Sequence, residues 1–306
     1  MTALGFDTSN YTTSAAWYDG TRGRNSGRLL EVRPGALGLR QSEALFQHVK
    51  RLPEIVEGLL TEAVPGAISA VGASTRPRSV EGSYMPCFLA GESQGRVLAQ
   101  TLAVPFYAFS HQQGHLAAVL ESAKKLELLE KTFLAWHLSG GTTELLLVHP
   151  GLDAEKIGGT EDLSAGQLID RTGQLLELSF PAGKALDALA GEEMTLKRGP
   201  VKVREMGFSL SGMENKTRQM YASGAAKAET AAFALACVAG AVREATTQAL
   251  ARYGDLPVVF TGGVSANRLL RRVMEPLGAV FGTPESSTDN AQGIAVLTCF
   301  AEASHG

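Results

Sequence analysis

Cysteine is scarce, with 3 among 306 residues. Cys87, Cys237 and Cys299 stand far apart with no CxxC pair. That excludes a disulfide framework and fits reduced, buried thiols in a cytosolic protein. Long apolar runs are also missing. The longest, from Ala231 to Val242 between Glu229 and Arg243, falls short of the roughly 20 residues that a membrane span needs and reads as a buried helix. No charge sign dominates: 28 Lys and Arg face 31 Asp and Glu, for a net charge of −3. A nucleic-acid partner would therefore be held by a local patch or by another subunit, not by a whole-protein field. The amino terminus shows no basic segment leading into an apolar core, so a cytoplasmic location without membrane contact is expected.

Glycine, by contrast, is abundant, at 34 residues against an ordinary share of about 7%, and it clusters in turns between apolar runs. With 44% apolar residues, the chain has material for two packed lobes of about 150 residues each. Ala3 to Ser9 and Thr13 to Tyr18 read as a strand, polar turn and returning strand. Thr132 to Leu138, the turn Ser139-Gly140-Gly141-Thr142-Thr143 and Glu144 to Val148 repeat that unit. After each come alternating helices and strands: helices over Ser42–Ala63, Glu92–Leu102 and from His111, with strands over Ile68–Ala73 and Pro105–Phe109. In the second half, helices are expected over Leu163–Leu176, Glu229–Arg252 and Ala266–Glu275, a strand over Val258–Phe260, and a closing helix after Asp289. Alternation of this kind predicts parallel pairing with helices over the sheet. The expected fold is a duplicated α/β, actin-like ATPase arrangement, with an amino-terminal lobe over residues 1–131, a carboxy-terminal lobe over 132–306, and a nucleotide and metal cleft between them.

Candidate chemistry is concentrated in a few motifs. His111-Gln112-Gln113-Gly114-His115 puts two imidazoles on one helical face, about 6 Å apart along the axis, a spacing that suits one metal ion. No Glu follows the first His, so the built-in base of a zinc protease is missing. Asp289 is the best third ligand by residue type, and equally suits a helix N-cap. Two His and one carboxylate with open positions suit iron(II) or zinc. Ser139-Gly140-Gly141-Thr142 offers backbone amides to phosphate oxygens. Gly262-Gly263-Val264-Ser265-Ala266-Asn267 lets a nucleotide lie against a strand–helix turn, where Asn267 is either a ligand or a cap. Asp170 and Asp187, around Phe180-Pro181-Ala182-Gly183, can accept ribose hydroxyls. Ser209 and Ser211 sit in a turn that either faces the cleft or ends a strand. Arg268, Arg271 and Arg272, with Lys197, Arg198, Lys202 and Arg204, form a candidate basic rim for RNA phosphates.

Together, and in order over almost the whole chain, these motifs resemble the TsaD family of tRNA threonylcarbamoyl transferases. The carrying segments are Leu4-Gly5-Phe6-Asp7-Thr8-Ser9, His111-Gln112-Gln113-Gly114-His115, Ser139-Gly140-Gly141-Thr142-Thr143-Glu144, Ala165-Gly166-Gln167-Leu168-Ile169-Asp170, Phe208-Ser209-Leu210-Ser211-Gly212, Gly262 to Arg268 and Thr288-Asp289-Asn290. The resemblance implies a divalent metal, iron(II) before zinc, on His111, His115 and Asp289. It implies an adenylate site lined by Leu138, Ser139, Gly140, Gly141, Thr142, Asp170, Gly183, Asp187 and Asn267. The implied reaction moves the threonylcarbamoyl group of threonylcarbamoyl-AMP to N6 of adenosine 37 in tRNA, with TsaB-like and TsaE-like proteins as partners. Where the family usually has Cys-Asp-Glu-Thr after the first Thr-Ser, this chain has Asn10-Tyr11-Thr12-Thr13. Thr142 replaces a His, Leu163 an Asp, Gln167 a Glu and Ala182 a Gly. These departures leave two alternatives: a catalytically altered paralogue that binds nucleotide and partner proteins, or an actin-like ATPase or kinase. The missing carboxylates at Tyr11 and Thr12 weigh against the second.

Overall fold

The computed structural model describes residues 1–9, 11–32, 39–61, 66–191, 201–283, 286 and 291–305. The chain divides into two compact units, Met1–Leu129 with Glu285–Gly306, and Glu130–Pro284.

The first unit opens with β1 (Thr2–Asp7) and β2 (Thr12–Tyr18), antiparallel and buried along their whole length. Next comes β3 (Gly23–Leu29), a polar, largely exposed strand with the sequence GRNSGRL, which continues the meander. Helix α1 (Gln41–Leu60) buries Ala44, His48, Leu52, Ile55 and Leu59. That three-to-four spacing lines up one face toward the sheet. It starts one residue before the expected helix; the expected end, Ala63, lies outside the described residues. Strand β4 (Ile68–Arg76), helix α2 (Leu89–Leu102), strand β5 (Phe106–Ser110) and helix α3 (His111–Ser122) follow. The sheet runs β3-β2-β1-β4-β5, with the last three strands parallel.

The second unit repeats this plan. Strands β6 (Phe133–Leu138), β7 (Thr143–His149) and β8 (Asp153–Thr160) form an antiparallel meander. Then come α4 (Ala165–Leu175), α5 (Gly183–Ala190), the two-residue β9 (Gly207–Phe208), α6 (Ser211–Ala222) and α7 (Lys227–Tyr253). The unit ends with β10 (Val258–Thr261), α8 (Arg268–Met274) and β11 (Ala279–Phe281). Its sheet order is β11-β10-β6-β7-β8-β9. Read from the meander, β8-β7-β6-β10-β11 matches β3-β2-β1-β4-β5 strand for strand, so the duplication expected from two short hairpins extends to five strands. The middle of helix α7, residues 230–242, is buried or half-buried all round, through Ala231, Leu235, Val238, Val242 and others. Among the described residues, no helix is long and apolar enough to cross a membrane.

The last helix, α9 (Gln292–His305), belongs to the first unit and corrects the lobe boundary drawn at 131/132. It packs on β1, β2, β4 and α3. The contacts are backbone-close: a Cβ on Gly5 would stand 2.4 Å from the Ala295 nitrogen, and one on Gly293 would overlap the Gly114 carbonyl. A sequence split by repeats cannot reveal such a return crossing. All three cysteines are free and buried, as their spacing led one to expect, and burial pushes the Cys87 thiol up to about 11 and that of Cys237 to about 12.

Candidate functional site

Two clusters emerge, one in each unit, both at the carboxyl ends of parallel strands where open α/β sheets bind ligands.

In the first unit, Ser110 ends β5 and caps α3. Its hydroxyl accepts from the Gln113 amide at 3.2 Å, while the Gln113 side chain accepts from the Ser110 amide at 2.8 Å. This reciprocal capping box fixes the first helical turn, so His111 and His115 share a face. Their Nε2 atoms stand 2.9 Å apart. His111 Nδ1 lies 3.0 Å from Oδ1 of Asp7, which is fully buried at the end of β1. The same carboxylate oxygen accepts from the Ser74 hydroxyl on β4. Nitrogen ligands about 2.1 Å from one ion stand roughly 2.9–3.4 Å apart, so this imidazole pair fits a borderline divalent cation. Asp289, the expected third ligand, lies outside the described residues. Among the described residues, no group of three His, Cys, Asp or Glu side chains converges as a metal site would require.

In the second unit, Ser139–Thr142 connects β6 to β7. The Thr142 carbonyl accepts from the Ser139 amide at 2.8 Å, and the Ser139 hydroxyl from the Thr142 amide at 3.0 Å. Gly140 and Gly141 are exposed, and a Cβ on either would meet nothing within 4 Å; the turn opens to solvent on that side. Its other side is pinned. The Ser164 hydroxyl, which also caps α4, donates to the Gly140 carbonyl at 2.7 Å, and the Ala165 amide to the Thr143 hydroxyl at 2.7 Å. Gly166 packs so closely that a Cβ there would stand 2.5 Å from the Ser139 carbonyl oxygen.

The second glycine turn lies alongside. Thr261 pairs with His137 in the parallel β10–β6 register, and Gly262 adopts φ +85°, where a side chain would be strained and would also strike the Leu138 carbonyl. Asn267 caps α8 by accepting from the Leu270 amide at 2.9 Å, and donates to Asp187 at 2.9 Å. The cap reading of Asn267 is thus realised in direct contact with Asp187. Asp187 is nearly buried and also accepts from Arg268 Nε at 2.9 Å. Asp170 accepts from the Ala182 amide at 2.8 Å and so anchors the entry to α5 at Gly183. A chain of contacts within one unit thereby connects Leu138, Ser139, Gly140, Gly141, Thr142, Asp170, Gly183, Asp187 and Asn267.

The basic rim needs correction. Arg268 is committed to Asp187. Arg271 turns inward, donating to the carbonyls of Ser265 at 3.0 Å and Gly282 at 3.3 Å, with its guanidinium over Phe281. Lys197 and Arg198 lie outside the described residues. Helix-surface spacing alone cannot tell an arginine that clamps backbone carbonyls from one that meets phosphate.

Two acidic residues escaped the sequence reading. One is Asp7. The other is Asp162, which accepts from the Ser209 hydroxyl at 2.5 Å and from the amides of Leu163 at 2.6 Å, Leu210 at 3.0 Å and Ser211 at 3.4 Å. Partial burial pushes its carboxyl up, but the donors from Ser209, Ser211, Leu210 and Thr160 outweigh burial and hold it well below the usual carboxylate range. It ties the start of α6 to the start of α4. The only signal in the sequence is an acid two residues before a capping serine.

The fold defines the class: this is an actin-like α/β protein. It superposes over 99% of its length on 46% of a HypF chain crystallised with phosphate and nucleotide, at TM-score 0.62 and 14% identity. The ROK hexokinase of Thermus thermophilus matches over the whole of both chains at TM-score 0.53 and 15% identity. Sequence narrows the class. Residues 35–296 match the family model for TsaD, tRNA N6-adenosine threonylcarbamoyltransferase. A tRNA N6-adenosine threonylcarbamoyltransferase of Sphingopyxis alaskensis is 31% identical over 293 residues, covering 92% of this chain and 83% of that one. The chain belongs to the TsaD family of transferases.

Proposed function

We propose that this protein transfers the threonylcarbamoyl group of threonylcarbamoyl-AMP to N6 of adenosine 37 in tRNA. The observation that supports it most is the pair of glycine turns, Ser139–Thr142 and Gly262–Asn267, held side by side at strand ends in a member of this family. The open Gly140–Gly141 amides suit phosphate oxygens, and the Gly262–Gly263 backbone suits the nucleoside. Asp170 and the Asp187–Asn267 pair would orient the ribose. Attack by a weakly nucleophilic adenine amine on the acyl carbon builds charge on the carbonyl oxygen while AMP departs. Placement and fixed dipoles accelerate such a step without a protein nucleophile.

A divalent cation, iron(II) before zinc, would be held by His111, His115 and Asp289 and would supply neutralisation of phosphate charge. Tyr11 is exposed and Thr12 starts a buried strand, so the first turn contributes hydroxyls where relatives of the usual pattern contribute carboxylates. TsaB-like and TsaE-like proteins are the proposed partners, and the cytoplasm the proposed location. The test is equilibrium binding of a non-hydrolysable threonylcarbamoyl adenylate, combined with nucleoside mass spectrometry of tRNA from cells whose own family member is depleted and replaced by this chain. Micromolar binding with restored threonylcarbamoyladenosine supports the proposal; binding without the modified nucleoside contradicts it.

A further inference from the structure

We infer that Asp7 is the positioning residue of the His111–His115 pair: it locks His111 in the tautomer whose unprotonated Nε2 faces the ion. This rests on the metal reading above. A carboxylate oxygen only accepts, so the 3.0 Å contact to Asp7 Oδ1 places the His111 proton on Nδ1. Nε2 is then left with its lone pair, 2.9 Å from His115 Nε2. In the metal-free chain the hydrogen between the two Nε2 atoms accordingly belongs to His115, and it leaves that nitrogen when an ion takes its place.

Asp7 is itself held in place from several directions. Its backbone pairs with Ser14 across the β1–β2 ladder, the Ser14 hydroxyl donates to its carbonyl at 3.2 Å, and the Ser74 hydroxyl donates to the carboxylate. Full burial removes competing water. A carboxylate so placed behind a ligating imidazole fixes ring orientation and raises ligand basicity, and losing such a partner typically weakens metal binding about 10- to 100-fold. Asn at this position has both a donor and an acceptor, so it permits the other tautomer, whose Nε2–H would block the ion.

The experiment uses the full chain, stripped of metal and titrated with Zn²⁺ against a competing chelator. Asp7→Asn should weaken Zn²⁺ affinity about 10- to 100-fold, while His111→Ala abolishes it. Ring-nitrogen NMR on the histidine-labelled, metal-stripped wild type requires no variant, and should show His111 protonated on Nδ1. An Asp7→Asn affinity equal to wild type, or a His111 proton on Nε2, overturns the inference while leaving the metal reading intact. A wild type that takes up no Zn²⁺ or Fe²⁺ overturns both.

Discussion

Lowering the pH from 8 to 5 should cost the first unit stability through His48. This residue is fully buried on α1, with Nδ1 2.8 Å from the Thr13 hydroxyl. Burial lowers its pKa from 6.5 to about 4, helped by Arg51 and opposed by Asp7. The unfolded chain therefore binds a proton that the folded chain refuses. Stability from neutral His48 is present in full above about pH 6.5 and is lost as pH falls toward 4. Integrating the linkage between those two values gives a loss of about 2 kcal/mol on going from pH 8 to pH 5. The assay is urea unfolding at both pH values in a Trp136→Phe background, where the remaining indole, Trp17 on β2, lies in the same core cluster as Leu52 and Ile55 of α1. His48→Asn, which cannot titrate, is the control that subtracts every carboxylate. Wild type should lose about 2 kcal/mol more than His48→Asn; parallel pH profiles would refute a buried neutral imidazole.

Gly166→Ala forces a methyl against the Ser139 carbonyl and Gly140, and should weaken adenylate binding at least 10-fold while the protein remains folded; unchanged affinity by calorimetry would show that the turn is not the phosphate cradle. Asp162→Ala strips an acceptor from five donors and should cost about 1–2 kcal/mol, with faster amide exchange at Leu210 and Ser211 as the local signature. Thr246→Val removes the hydroxyl that accepts from the fully buried Trp136 indole at 2.9 Å. An orphaned buried donor costs about 1–3 kcal/mol, so denaturant unfolding should show a clear loss, and a neutral result would mean the indole finds another acceptor.

What could be read from the sequence divides along physical lines. The buried strands β1, β2, β6 and β7 are apolar runs ended by polar turns, and they were legible within a residue or two. The edge strand β3, GRNSGRL, and β8, DAEKIGGT, carry little apolar signal because much of each is exposed; backbone pairing to a buried neighbour defines them, and pairing is not written in composition. The glycine turns were legible as Gly-Gly pairs between apolar runs, although only Gly262, at φ +85° and against the Leu138 carbonyl, demands glycine by its backbone. Their supporting contacts, Gly166 under Ser139 and Arg268 on Asp187, join positions far apart in the chain and had no local mark. The histidine pair was visible from its i, i+4 spacing, whereas Asp7, 104 residues away from His111, needed the sheet to bring it there.

The most direct measurement is transfer of labelled threonylcarbamoyl from its adenylate to an unmodified tRNA transcript that carries adenosine 37, on metal-quantified protein to which the proposed TsaB-like and TsaE-like proteins are added. The account predicts label on adenosine 37, none on a transcript with guanosine at that position, and none with His111→Ala. Folded protein that binds metal and adenylate yet leaves the transcript unlabelled in the presence of those proteins would contradict it.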